Sequence, residues 1–270
     1  MIGYIKEGWK EAARQPFLLV LLFVYRLVWG IVLYRMVQSV VVPLMHRYAG
    51  GISKSQVQLF LAEGEFQLTK TDLSHSYLWM LLAVMLARMF VTPLLNAGVY
   101  YSLSHPHLNM GYRFFKGIRE LGRSFFLLYL VQMLLTAAPA YFLLPRVTKL
   151  LEHYNTLPET YRSLLPWLAG YVLYGFLLHL FFMHLQFGRT ERASLFSSLL
   201  VPLKGLLPVL SVAALLLLVS ALLSGLVFAG TMIWAGFWAL MAYQAYGFIR
   251  TFLSLWGITS QHRLFIQSHA

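Results

Sequence analysis

The sequence predicts an all-α membrane protein that crosses the bilayer six times. Of its 270 residues, 59% are hydrophobic and only 11% are charged, whereas about a quarter of the residues in soluble domains are charged. The mean hydropathy is +0.68, and a soluble core of this size would not bury that much apolar surface. The composition therefore excludes an ordinary soluble enzyme and a disordered chain.

Six apolar stretches are long enough to cross a membrane as helices, which takes about 20 residues. They are residues 17–45, 77–102, 125–145, 164–187, 206–228 and 231–257. These stretches are apolar on every side, which is typical of membrane helices and not of the alternating strands of a barrel. We therefore expect residues 1–270 to form a single membrane domain.

Two features of these stretches predict local geometry. The first stretch is longer than a straight crossing requires, so we expect it to tilt, to protrude or to break near Pro43. The fifth and sixth stretches are separated only by Ala229 and Gly230. Because about 50 residues in one straight helix would far exceed the bilayer thickness, we predict a tight helical hairpin at that pair.

Residues 1–15 have the pattern of a helix that lies on the membrane surface. Ile2, Ile5 and Trp9 recur at helical spacing, and charged residues such as Lys6 and Lys10 occupy the other side. This pattern is typical of an amphipathic interfacial helix. We predict similar short surface helices before the third span and the fifth span.

Basic residues near the spans are distributed unequally, and the side that is richer in them is expected to face the cytoplasm. On the side of the N-terminus lie Lys6, Lys10, Arg14, Arg113, Lys116, Arg119, Arg123, Arg189, Arg192, Lys204 and Arg263. On the opposite side lie Arg47, Lys54, Lys70, Arg146, Lys149 and Arg162. Both termini are therefore predicted to be cytoplasmic, in a bacterial cytoplasmic membrane. The net charge of +12 then suits anionic lipid headgroups and not nucleic acid.

The order of segments resembles that of a group of bacterial membrane proteins. The stretch GYIKEGWKEAARQPFLLVLL, followed by NAGVYYSL and MGYRFFKGIRELGRSFFLLYL, is similar to bacterial six-helix membrane proteins of largely unassigned function. The membrane domain that precedes some glycerophosphodiester phosphodiesterases is one of them. The resemblance covers nearly the whole chain and implies the fold, but it transfers no catalytic residue. Six-helix permease subunits of ATP-driven exporters also begin with a surface helix.

Several classes of chemistry are disfavoured by what the spans contain. None of the nine Asp and Glu residues falls inside a predicted span, which disfavours proton-coupled carriers and metal-dependent hydrolases. The chain has no cysteine, and His179 and His184 are five residues apart, which does not suit chelation from one helix face. No nucleotide-binding fingerprint is present. We therefore expect no enzymatic activity, no metal and no cofactor.

The candidate binding residues are two arginines near the middle of the first two spans, Arg26 and Arg88. Guanidinium offers a fixed bidentate fork and stays charged, which suits a phosphate. One hypothesis is that both residues bind the phosphate of a lipid or another anionic amphiphile. The alternative is structural: each side chain bonds backbone carbonyls or extends to the membrane surface.

Two functional hypotheses follow from these residues. The first is a non-enzymatic, transporter-like or lipid-handling protein that accommodates an anionic amphiphile through Arg26 and Arg88. The second is a permease or accessory subunit that works with a separate ATPase or another protein partner. Such a partner would dock at the basic cytoplasmic connectors, residues 113–123 and 189–204.

Overall fold

The computed structural model describes residues 2–47, 73–153, 157–233 and 236–269, and in these ranges the chain is helical, without strands. The helices are α1 (Ile2–Ala13), α2 (Pro16–Arg47), α3 (Leu73–Ser104), α4 (Met110–His153), α5 (Leu157–Thr190), α6 (Leu195–Lys204), α7 (Leu206–Ile233) and α8 (Phe237–His269). The all-α prediction is confirmed for this part of the chain.

Five segments in the described ranges are long and apolar enough to cross a membrane. They are Pro16–Ser39, Leu78–Ser104, Met110–Val147, Arg162–Thr190 and Leu206–Ile233. Each of the first five predicted spans overlaps one of them. The sixth predicted span, residues 231–257, falls on the end of α7 and on α8. There Gln244 and Arg250 interrupt the apolar run, and α8 is not among the five segments.

The predicted helical hairpin is present, since α7 and α8 are separate helices that pack against each other, but it does not lie at Ala229 and Gly230, because α7 continues through both residues to Ile233. Glycine is common in membrane helices and does not end one by itself. Apart from the backbone of α7 itself, no heavy atom of the described residues lies within 4 Å of the position that a Cβ on Gly230 would take, so no close approach of another described segment requires glycine there. α8 begins at Phe237 and runs antiparallel to α7, since Tyr246 bonds to Ser224 and Gln261 donates to the carbonyl oxygen of Val209.

The predicted surface helix before the third span is not a separate element. Met110–His153 is one helix of 44 residues, since nothing at Arg123 or Ser124 breaks it. A helix of that length is far longer than a bilayer core about 30 Å thick requires. The short helices α1 and α6 do precede spans, as the sequence predicts. α2 begins at Pro16, because proline suits the first position of a helix.

The chain divides into two compact units, one formed by Met1–Leu19 with Pro93–Ala270 and the other by Val20–Thr92. Both boundaries fall inside helices, in α2 and in α3. In the first unit α1 packs against α8, α4 against α5, and α8 against α7.

The first unit has a tightly packed aromatic core where α3 meets α4 and α5. The ring centroids of Tyr100 and Phe187 are 4.8 Å apart, and those of Tyr100 and Phe125 are 5.5 Å apart. A Cβ on Gly117 of α4 would lie 2.5 Å from the Cβ of Tyr101 and 2.9 Å from the carbonyl oxygen of Ala97. Glycine at position 117 thus permits the close approach of the two helices.

Candidate functional site

Arg26 and Arg88 both lie in the second unit, on α2 and α3, and both are exposed. The Tyr25 and Thr92 hydroxyls form a hydrogen bond of 2.8 Å between these two helices. The Thr92 hydroxyl also lies 2.7 Å from the carbonyl oxygen of Arg88, one turn earlier. Residues one turn apart share a helix face, so Arg88 is on the side of α3 that meets α2. The structure thus places the two predicted residues on helices that contact each other at their level.

A third exposed arginine, Arg35, lies on α2, but it is on a different side of that helix from Arg26. It follows Arg26 by nine residues, which corresponds to about half a turn around the axis. α2 continues as helix past both residues to Arg47, so no break lets them share a face. Arg35 is therefore a natural control for Arg26.

In the first unit, α1 is docked on the C-terminal half of α8 by specific contacts. The Trp256 indole donates to the carbonyl oxygen of Ile5 at 2.8 Å, and the Thr259 hydroxyl donates to that of Gly8 at 2.8 Å. The Arg263 guanidinium pairs with the Glu11 carboxylate at 2.7 Å. The predicted interfacial helix is thus held by protein on one side.

Arg113, which is buried, connects the turn between α1 and α2 to α4. Its side chain is only 2% exposed, and its guanidinium donates to the side-chain oxygen of Gln15 and, at 3.4 Å, to the carbonyl oxygen of His105. Arg113 is therefore not part of an exposed docking surface. Of the basic residues in connector 113–123, Arg119 and Arg123 are exposed.

A large open cavity of about 810 Å³ lies beside Arg113, between α1, α4 and α8. Its charged lining residues are Glu7, Lys10, Glu11, Arg14, Arg113 and Arg263. Nothing in the sequence pattern shows that these residues come together, because they belong to the first and last helices and to the start of the fourth.

A second cavity, of about 270 Å³, lies among α3, α5, α7 and α8 and has a neutral polar lining. Asn96, Tyr100, His179, Ser254 and Gln261 supply its polar groups. Within the described ranges, no group of three or more His, Cys, Asp or Glu residues is placed to hold a metal ion.

A polar cluster joins the ends of α3 and α5 to α8. The Ser104 hydroxyl donates to the Glu191 carboxylate at 2.5 Å, and the buried imidazole of His262 lies 3.3 Å from the same oxygen. The hydrogen bond from His262, and secondarily the one from Ser104, lowers the pKa of Glu191 against the opposing effect of burial. The ionised carboxylate therefore stabilises this junction.

Glu191→Gln is expected to lower the stability of the protein near neutral pH, by about 1 kcal/mol, because a charge-assisted hydrogen bond is lost at a partly exposed site. A carboxylate whose folded pKa lies below its unfolded value of about 4.3 stabilises above that pH. This contribution disappears as the pH falls through the folded pKa.

Thermal unfolding in detergent, followed from pH 7 down to pH 3, measures this effect. The difference in Tm between the original protein and Glu191→Gln should become smaller below pH 4. Glu120→Gln is the control, since the Glu120 carboxylate makes only a 3.8 Å pair with Lys116 on the same helix. A Tm difference that stays constant from pH 7 to pH 3 would show that the ionised Glu191 carboxylate does not stabilise this junction.

Comparison with known proteins adds no relative: no family model, curated protein or solved structure matches the chain. The resemblance to bacterial six-helix membrane proteins accordingly remains a prediction from the sequence. The described ranges are helical and contain helices long and apolar enough to cross a membrane, which is consistent with an integral, multi-pass membrane protein.

Proposed function

We propose that the protein is a non-enzymatic, lipid-handling or transporter-like membrane protein that binds the phosphate of an anionic lipid through Arg26 and Arg88. The hydrogen bond between Tyr25 and Thr92 carries this proposal. It joins α2 and α3 at the level of both arginines, so two exposed guanidinium groups are presented from neighbouring helices within apolar segments.

The chemistry of the two helices favours a phosphate as the ligand. Placing an arginine near the bilayer centre costs about 2.5–3.5 kcal/mol on insertion scales, and an anionic partner offsets such a cost. The stretches 17–45 and 77–102 contain no Asp or Glu, so no carboxylate of these stretches competes with the lipid. Guanidinium binds phosphate oxygens through two parallel hydrogen bonds, which gives orientation as well as charge.

We further propose six crossings, with both termini on the cytoplasmic side of a bacterial cytoplasmic membrane. The packing of α1 against the C-terminal half of α8, through Trp256, Thr259 and Arg263, supports an even number of crossings. With five apolar segments between these helices, the first part of α8 would supply the sixth. The distribution of basic residues supports the cytoplasmic assignment.

Native mass spectrometry of the purified protein tests the binding proposal. The double variant Arg26→Gln/Arg88→Gln should carry one bound anionic phospholipid fewer per chain than the original protein, while its thermal stability stays close to that of the original protein. The control double variant Arg35→Gln/Arg250→Gln removes the same number of charges from exposed positions elsewhere on α2 and on α8. This control should retain the lipid.

The proposal fails if the double variant keeps as many bound phospholipids per chain as the original protein, or if the control double variant loses as many as the test variant does. In the first case the two arginines have a structural role. In the second case lipid retention depends on the total charge of the protein and not on this pair.

A further inference from the structure

The cavity between α1, α4 and α8 collects basic side chains from three separate parts of the chain. Lys10 and Arg14 come from the end of α1 and the turn after it, Arg113 from α4 and Arg263 from α8. Glu7 and Glu11 are the acidic residues of the lining, and Glu11 is already paired with Arg263. The lining therefore has an excess of positive charge.

The buried position of Arg113 makes this excess unusual. A buried charge normally has a charged partner, since removing it from water is unfavourable. Among the described residues, the Arg113 guanidinium donates its hydrogen bonds to the neutral oxygens of Gln15 and His105. Its Nε has no hydrogen-bond partner in the part of the chain that the structure describes. The guanidinium is thus held in place at the cavity without neutralisation by those two groups.

The first turn of α4 adds a second source of positive potential. Asn109 and Met110 line the same cavity, and the amide of Arg113 donates to the carbonyl oxygen of Asn109 at 3.0 Å, which starts the helix there. The first amide groups of a helix have no acceptor within it, and together with the helix dipole they attract anions. No acidic residue occupies this first turn.

We propose that this cavity is an anion site that binds a phosphate group at the membrane surface. Lys10 and Arg14 would contact the phosphate from the exposed side, and Arg113 and the start of α4 would hold it from the buried side. The volume of about 810 Å³ is within the usual range for small-molecule sites. The phosphate belongs to a lipid headgroup or to a soluble phosphate ester. The site lies wholly in the first unit and does not depend on Arg26 or Arg88.

The amphipathic pattern of α1 places the site at the depth of lipid headgroups. Trp9 is 47% exposed, as expected for an aromatic residue at a membrane interface. Basic residues of a surface helix are attracted to anionic lipids. A phosphatidic acid headgroup, with its terminal phosphate, is therefore the natural probe.

The test uses the full chain in nanodiscs of phosphatidylcholine and follows its thermal unfolding. One arm adds increasing phosphatidic acid to the bilayer, and the other adds glycerol 3-phosphate to the buffer of phosphatidylcholine discs. The variant Lys10→Gln/Arg14→Gln is compared with Lys6→Gln/Arg123→Gln, which removes the same charge from exposed residues outside the cavity. Arg113 is left in place because its replacement would also break the contact with Gln15.

The original protein should be stabilised in at least one arm, and Lys10→Gln/Arg14→Gln should need at least tenfold more ligand for the same rise in Tm. The control variant should respond like the original protein. Stabilisation by phosphatidic acid alone identifies a lipid, and stabilisation by glycerol 3-phosphate identifies a soluble ester. No stabilisation in either arm, or an equal loss in both double variants, would overturn the proposal.

Discussion

Gly8→Ala is expected to loosen α1 from α8 and to lower the Tm, whereas Gly3→Ala on the same helix is expected to leave the docking intact. A Cβ on Gly8 would lie 2.8 Å from both the Cα and the amide nitrogen of Ser260. These are backbone atoms and cannot rotate away, so the helices must separate. Overpacking of this kind costs about 1–3 kcal/mol or more.

Gly3 is a matched control because no heavy atom lies within 4 Å of its Cβ position. Alanine there should even add up to about 1 kcal/mol through its higher helix propensity. The two substitutions are thus chemically identical and opposite in expected sign. Ser260→Gly should not rescue Gly8→Ala, since the conflict with the backbone of Ser260 remains.

Thermal unfolding and limited trypsin digestion in detergent measure the effect. Detachment of α1 should expose the bonds after Lys10 and Arg14 to cleavage. It should also change the emission of Trp9, whose ring lies 4.6 Å from that of Phe252 and 4.8 Å from that of Trp256. Unchanged stability and unchanged protection in Gly8→Ala would show that α1 is not held at this crossing.

The elements that the sequence predicted correctly are those set by local composition. The apolar stretches predict the all-α membrane class, and the helical spacing of Ile2, Ile5 and Trp9 predicts α1. The hairpin was placed too early, at Ala229 and Gly230, because the fifth and sixth apolar stretches meet there in the sequence, and glycine does not end a membrane helix by itself. The continuity of α4 was missed because a change from polar to apolar residues does not end a helix.

The candidate sites depend on contacts between distant parts of the chain, which composition does not encode. Nothing local indicates that Tyr25 meets Thr92 near the two predicted arginines. The basic connector 113–123 was predicted to be a docking surface, whereas the side chain of Arg113 is buried against Gln15.

The second large effect is expected where α5 meets α6, at Gly188. A Cβ at this position would overlap the side chain of Ser198, whose own Cα is 3.7 Å away, at ordinary contact distance. The turn that brings α6 there is fixed, since the amide of Ala193 donates to the carbonyl oxygen of Gly188 at 2.8 Å. Gly188→Ala is therefore expected to destabilise the protein by about 2 kcal/mol.

This conflict differs from the one at Gly8 because it involves side-chain atoms, so a second substitution should relieve it. Ser198→Gly alone should cost about 1 kcal/mol in helix propensity, yet in the Gly188→Ala background it should restore stability. Ser198→Ala keeps the Cβ of residue 198 and should not restore stability in that background.

The double-mutant cycle, measured by Tm in detergent, is expected to give a favourable coupling of about 1–2 kcal/mol between positions 188 and 198. Gly175→Ala, with no heavy atom within 4 Å, is the control on the same helix. Additive losses in the cycle would mean that α6 does not pack against α5 at this glycine.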